Sequence, residues 1–233
     1  MCSTELLSIV IPCKNEELYI KRTLSALNIQ IDSNVKIILA DAISTDSTLV
    51  IAKQVCPDII IVEGGLPGKG RNEGAKASFS KYILFVDADV TFCDNNAIKR
   101  MLSHIIENDL DAVGTSPVYL GEFDIRARFI FYLNNIITIL LSKFYPFGIG
   151  GCFLIKRETF ERLKGYDEKA TQAEDWLLSK KIDPKKFAII PKLITQDNRR
   201  FKKFGYFNMI KLIWKNWKNR NNIEFFYTKT NYF

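Results

Sequence analysis

Four short apolar runs, each ending on polar residues, dominate the first part of the chain. They are residues 8–12 (SIVIP), 35–40 (VKIILA), 59–62 (IIIV) and 82–86 (YILFV). Each is β-branched or aromatic and too short for a buried helix, so each reads as a strand, and 8–12, ended by Pro12, as a buried parallel one. Helical spacing fills the gaps. Asn15 can cap a helix over residues 16–27, where Leu18, Thr23, Leu24 and Leu27 recur near helical spacing. Thr45 or Asp46 can cap a second helix running to Val55. A glycine-rich stretch, residues 64–70, reads as a loop before a small-residue helix over 71–80. Strand–helix alternation with short turns predicts an α/β fold with a mostly parallel central sheet flanked by helices.

Ligands bind such sheets outside the carboxyl ends of the strands. The polar clusters of this sequence fall there. Lys14-Asn15-Glu16-Glu17 follows the first strand, Asp41 the second, and Asp87 and Asp89 the fourth. Beyond residue 95 the pattern loosens. Helices are expected over 95–107, 125–142 and 174–181, and strands over 112–116 and 150–155.

Four constellations bear chemistry. Val86-Asp87-Ala88-Asp89 ends an apolar strand, and extended backbone would put both carboxylates on one face. Two such groups held together call for a cation, and oxygen-only ligands suit Mg²⁺ or Mn²⁺, which also bridge phosphates. The bland reading is a solvated acidic turn. Residues 41–48 (DAISTDST) supply Asp41 as an acceptor and Asp46 as either ligand or plain N-cap. Residues 68–75 (GKGRNEGA) form either a backbone cradle for an anion or a loop leading into a close-packed helix. Ala173-Glu174-Asp175-Trp176 holds either a general base or an acidic first helical turn.

Composition narrows the field. One histidine, His104, leaves His-based triads and zinc sites without their usual residue. Five scattered cysteines with no CxxC pair speak against a zinc site or a disulfide framework and for free thiols in a reducing compartment. The expected location is therefore cytoplasmic, peripheral on the inner face of the cell membrane. The net charge of +7 is concentrated late: residues 180–220 hold thirteen Lys and Arg against Asp183 and Asp197. That asymmetry points to an anionic partner. In residues 204–218, Phe207, Ile210, Trp214 and Trp217 recur at helical spacing beside Lys211, Lys215 and Lys218. This amphipathic stripe either contacts an anionic membrane or packs on the domain. Residues 129–141 are apolar but short, and contain Asn134 and Asn135, so they read as a core or interfacial helix.

In their order and spacing, IVIPCKNEE (9–17), DAISTDST (41–48), GKGRNEGAKAS (68–78), FVDADV (85–90), GGCFLIKRETFERLKGYDE (150–168) and AEDWLLSKKI (173–182) resemble the family-2 glycosyltransferases of GT-A fold, non-processive and of bacterial or archaeal type. The resemblance implies a transferase domain over 1–200, with a nucleotide-binding half (1–95) and an acceptor half (96–200), followed by a basic tail (201–233). It implies a UDP- or GDP-sugar donor and a glycan or lipid-linked acceptor. Pro12, Asn15, Glu16, Asp41, Lys69 and Arg71 would border the nucleotide, Asp87 ribose or metal. Asp89 would bind the metal, and Gly150 and Gly151 would floor the acceptor side. Asp175 would be the base of an inverting transfer, supported by Glu174. Arg199 and Arg200 stand in a loose counterpart of the QxxRW motif of processive relatives, with Phe201 where tryptophan is expected. Two other readings stand beside this one. One keeps the fold with polyprenyl phosphate as acceptor. The other is a nucleic-acid-binding protein, which the strand-end carboxylates oppose by repelling a phosphate backbone; no nucleic-acid partner is expected.

Overall fold

A computed structural model describes residues 5–32, 34–119, 124–148, 151–196, 203 and 205–228. Eight strands form one sheet in the order β3-β2-β1-β4-β7-β6-β8-β5. Strands β1 (Leu7–Cys13), β2 (Lys36–Asp41), β3 (Ile60–Glu63) and β4 (Tyr82–Val86) run parallel. β7 (Cys152–Lys156) joins β4 antiparallel and also pairs with β6 (Ala112–Tyr119). β8 (Phe187–Gln196) lies parallel to β6, and the two-residue β5 (Thr91–Phe92) caps that edge.

β1, β2 and β4 are buried because helices cover both sides, while β3, at the sheet edge, leaves Ile61 and Glu63 exposed. Ile9, Ile11, Leu84 and Val86 meet one layer of helices, α1 (Ile20–Gln30), α2 (Thr48–Val55) and α4 (Ala97–Glu107). Val10, Ile38, Ile83 and Phe85 point the other way, toward α3 (Pro67–Lys76) and α6 (Arg157–Arg162). Phe85 packs edge-on against Tyr166, ring centroids 5.0 Å apart. Full burial of each such side chain is worth roughly 1.5–3 kcal/mol, and the alternation fixes the register. The chain leaves β1 for β2 on one side and reaches β4 on the other. The crevice above β1, where the order reverses, is the expected ligand position.

Several local expectations need correcting. Asn15 does not cap α1, which begins at Ile20. Asn15 sits at φ 54 and turns its side chain to the next loop. Gly68, Lys69 and Gly70 belong to a helix rather than a loop, because Pro67 opens α3 at its first turn. The glycines serve packing there: a Cβ on Gly74 would lie 2.2 Å from Val10 Cγ1, and one on Gly68 2.7 Å from the Asp167 carbonyl oxygen. Asp87 to Asp89 is not extended, so the alternation argument does not apply to it. β4 stops at Val86, and the Val90 N–H closes a turn onto the Asp87 carbonyl.

Further helices follow β6. α5 (Ile125–Ser142) has the predicted bounds, and α7 (Glu174–Ser179) carries the acidic pair. α8 (Tyr206–Lys218) is the basic amphipathic helix. A short α9 (Ile223–Tyr227) docks back: Phe226 is fully buried, with its ring 5.7 Å from Trp176. The four cysteines within the described residues are free thiols.

Candidate active site

The loops leaving β1 and β2 interlock. The Asn15 N–H donates to Ser44 Oγ (2.9 Å), and Asn15 Oδ1 accepts from the Thr45 N–H (2.8 Å). The Glu16 N–H donates to Thr48 Oγ1, which in turn donates to Asp46 Oδ1. Asp46 also accepts from the Thr48 N–H and from the Glu17 N–H, but the N-cap of α2 is Ser47, so neither Thr45 nor Asp46 takes that position. Asp41 is buried at the end of β2. Its Oδ2 accepts from the Ser44 N–H, and its Oδ1 accepts from Ser44 Oγ (2.5 Å) and from the Cys13 thiol (3.4 Å). Burial, and then Asp41 itself, push the Cys13 thiol up, so it stays protonated and donates. Ile43 closes this rim at φ 58 with its side chain 74 % exposed. A β-branched residue in the left-handed region is strained, and such strain collects at ligand sites.

The second cluster lies above β4. Arg71, on α3, is 3 % exposed. One nitrogen donates to Asp87 Oδ1 (2.8 Å) and another to Glu174 Oε1 (2.5 Å). Its guanidinium lies over the Tyr166 ring, 5.2 Å from the centroid. Burial disfavours the cation, but Glu174 and Asp87 more than offset this, and Arg71 stays charged. Asn72 locks the same turn by donating to the Tyr166 carbonyl and to Glu168 Oε1, while its Oδ1 accepts from the Tyr166 N–H. Asp175 adjoins this cluster, accepting from the Trp176 N–H. Burial raises its affinity for a proton, Glu174 raises it further, and Arg71 only partly opposes them, leaving it at about 7. Ala173, just before α7, holds φ 54.

Asp89 is 3 % exposed, in a turn pinned by α1: Thr23 Oγ1 donates to the Ala88 carbonyl and Arg22 to the Asp89 carbonyl. Among the described residues, no group of three or more His, Cys, Asp or Glu could hold a metal ion. An ion held above β4 would draw on Asp87 and Asp89 alone for carboxylates. That suits an ion of Mg²⁺ type, which takes one or two carboxylates and completes its shell with phosphate and water.

The structure thus brings together Arg71, Asp87, Glu174 and Asp175, and separately Asn15, Glu16 and Asp41. Pro12 flanks Gly70, where an added Cβ would lie 3.5 Å from the Pro12 ring, and Lys69 folds its chain over Gly65. Gly151 is buried beneath the site, its carbonyl accepting the Asp87 N–H (3.0 Å). Gly150, Arg199 and Arg200 lie outside the described residues. His104 stays on α4, beside Asn108. Tyr166 was missed as a site residue, although the GYD of residues 165–167 marks a turn that needs Gly165 at φ 67.

The family model described as "Glycosyl transferase family 2" matches residues 8–164. The chain belongs to that family. Among its family relatives, a poly(ribitol-phosphate) beta-glucosyltransferase of Bacillus spizizenii is 35 % identical over 45 % of this chain and 18 % of its own length. The succinoglycan biosynthesis protein ExoA of Rhizobium meliloti is 25 % identical over 75 % of this chain and 58 % of its own. The chain thus spans less than two thirds of either relative. Two solved structures share the GT-A fold. One is the mannosyltransferase PcManGT of Pyrobaculum calidifontis with GDP-Man and Mn²⁺: TM-score 0.64, 21 % identity, 82 % of this chain and 55 % of that one. The other is TarS 1–349 of S. aureus with UDP-GlcNAc: TM-score 0.65, 18 % identity, 83 % and 59 %. The expected family and fold class both hold.

Proposed function

We propose that this family-2 glycosyltransferase is an inverting, metal-dependent enzyme that moves a sugar from a UDP- or GDP-sugar to a hydroxyl of a cell-surface or lipid-linked glycan. The observation that carries the reading is the buried bridge of Arg71 between Asp87 and Glu174, with Asp175 beside it at a proton affinity of about 7. A base works best when its pKa lies near the working pH.

The interlocked loops suit a nucleoside, with Pro12, Asn15, Glu16, Asp41 and Lys69 around it. Asp89 and Asp87 would hold Mg²⁺ or Mn²⁺, which when bound offsets charge on the departing diphosphate. Arg71 orients Asp87 and Glu174, and Gly151 sets the floor. Asp175 takes the proton from the acceptor hydroxyl. The oxygen of that acceptor hydroxyl bonds to the anomeric carbon from the face opposite the diphosphate, and the bond to the diphosphate breaks. Donor type is supported by the ligands of the two similar structures, GDP-Man with Mn²⁺ and UDP-GlcNAc. Acceptor class is supported by relatives named for poly(ribitol-phosphate) and succinoglycan. The free thiols fit a reducing, cytoplasmic setting.

The test is nucleoside-diphosphate release from UDP- and GDP-sugars over a panel of glycan acceptors. Asp175→Asn should lower turnover about 10²–10⁴-fold. The wild-type rate should rise with pH up to about 7 and then level, as Asp175 loses its proton. Full activity of Asp175→Asn would refute a hydroxyl acceptor and favour an already ionised phosphate.

A further inference from the structure

Helix α5 is amphipathic the wrong way round. The face it turns inward carries Phe131 but also Asn135, Thr138 and Ser142, all buried. Asn135 donates to the Pro117 carbonyl at 2.9 Å and so ties the helix to β6, while Ser142 Oγ donates within the helix to the Ile139 carbonyl. Outward it shows Phe129, Leu133, Ile136, Ile137, Leu140 and Leu141, with Phe129 63 % and Leu140 58 % exposed. A chain that stayed in water would reverse this arrangement. Contiguous exposed apolar surface marks an interaction site.

α8 extends the same surface. It starts where α5 starts: Tyr206 Oη donates to Asp124 Oδ2 (2.5 Å), and the Arg126 guanidinium lies over the Tyr206 ring. Trp214 and Trp217 are more than half exposed. Lys218 lies over the Trp214 ring at 5.3 Å and Arg220 over the Trp217 ring at 4.6 Å. From Ile125 to Arg157 and from Asn198 to Ile223 the sequence contains no Asp or Glu, while Arg126, Lys143, Lys211 and Lys215 add positive charge.

We propose that the outward faces of α5 and α8 form one surface that docks in the plane of an anionic lipid bilayer. The charge selects this occupant. A second copy meeting the patch through two-fold symmetry would set like charges against each other, whereas an anionic leaflet complements them. Tryptophan beside a basic side chain suits the boundary between headgroup and acyl chain. No described helix is long and apolar enough to cross a membrane, so the contact lies on its surface. α9 roots this surface beside α7: the Thr171 N–H donates to the Phe226 carbonyl at 2.9 Å. Docking would therefore bring the Asp175 side of the protein toward an acceptor carried by lipid. The proposal rests on exposed faces rather than on transfer chemistry, so either can fail alone.

The test is co-sedimentation of the full chain with vesicles of phosphatidylcholine alone and of phosphatidylcholine mixed with phosphatidylglycerol. Binding to the mixed vesicles, weakened by salt and accompanied by a blue shift of tryptophan emission, is the expected result. Leu133→Glu with Leu140→Glu should weaken it at least tenfold. Lys211→Glu with Lys215→Glu and Lys218→Glu should abolish the preference for the anionic lipid. All five positions are exposed, and circular dichroism checks that each variant folds. No binding to either vesicle by the folded wild type would overturn the proposal. Equal binding to both, indifferent to the lysine variant, would also overturn it. So would a dimer in solution that the leucine variant dissociates while vesicles stay unbound.

Discussion

Over β1 and β2, Asp41 is held by neutral donors, Ser44 and Cys13, whereas over β4 and α7, Asp87 and Glu174 are held by a buried cation, Arg71. The first rim is built from two loops that follow adjacent strands, and its cross-loop bonds join residues 28 to 32 positions apart. The second joins residues 16 and 103 positions apart. The first can lose a bond to water at small cost. In the second, three carboxylates share an arginine, and Asp175 is left short of positive charge, so its proton affinity climbs to about 7. Bonds from neutral donors hold the first rim; shared burial of charge shifts the proton affinity of the second.

The largest effect should come from taking the cation away. Arg71→Ala leaves Asp87 and Glu174 facing each other with nothing between them, and breaking a buried pair costs about 3–5 kcal/mol. Urea denaturation measures it. Asp175 should bind its proton more tightly still, because Arg71 acts to lower its pKa. Arg71→Lys should recover only part of the loss, since an ammonium cannot fork between two carboxylates. A loss below about 1 kcal/mol would mean that the two rims are held alike.

Asp175 also ties stability to pH. Its pKa is raised on folding, so between about 4 and about 7 the folded state holds a proton that the unfolded chain releases. This contribution is full at low pH, falls as pH rises through that window, and is gone above it. Asp175→Asn should flatten the fall between about pH 4 and about pH 7. An unchanged slope would remove Asp175 as the strained member of the cluster.

Next in size is the seat of the arginine. Gly74 lets α3 lie against Val10, and Gly74→Ala should cost about 1–3 kcal/mol by overpacking. The same helix shows where the sequence misled. Gly68 and Gly70 read as a loop because each costs about 1 kcal/mol in a helix. Close approach to the sheet outweighs that cost, and Pro67 was the local sign of a helix start. Strands β1 to β4 and the bounds of α5 were legible because hydrophobic period dictates them. The facing of α5 was not, since its apolar residues pattern a helix without saying which side meets the sheet. Asp41, Asp87 and Asp175 could be picked out by their places at strand and helix ends. The role of Arg71 between Asp87 and Glu174 could not, because no local pattern records a contact made across 103 residues.

The smallest effect tests the neutral rim. Ser44 Oγ accepts from the Asn15 N–H and donates to Asp41 Oδ1. Ser44→Ala removes both bonds, yet Asn15 is exposed and water can replace its partner, while Asp41 keeps the Cys13 thiol and the Ser44 N–H. The expected loss is therefore about 0.5–1.5 kcal/mol. Affinity for a nucleoside diphosphate should fall by a larger factor than stability does. In that variant the Asn15 N–H no longer reaches Asp41 through Ser44 Oγ, and Asn15, at its left-handed φ of 54, is tied to the β2 loop through Thr45. Calorimetric titration with UDP and GDP, set beside the urea curves, separates the two quantities. Equal losses in both would mean that this rim is only a staple between loops, and that the nucleoside lies elsewhere.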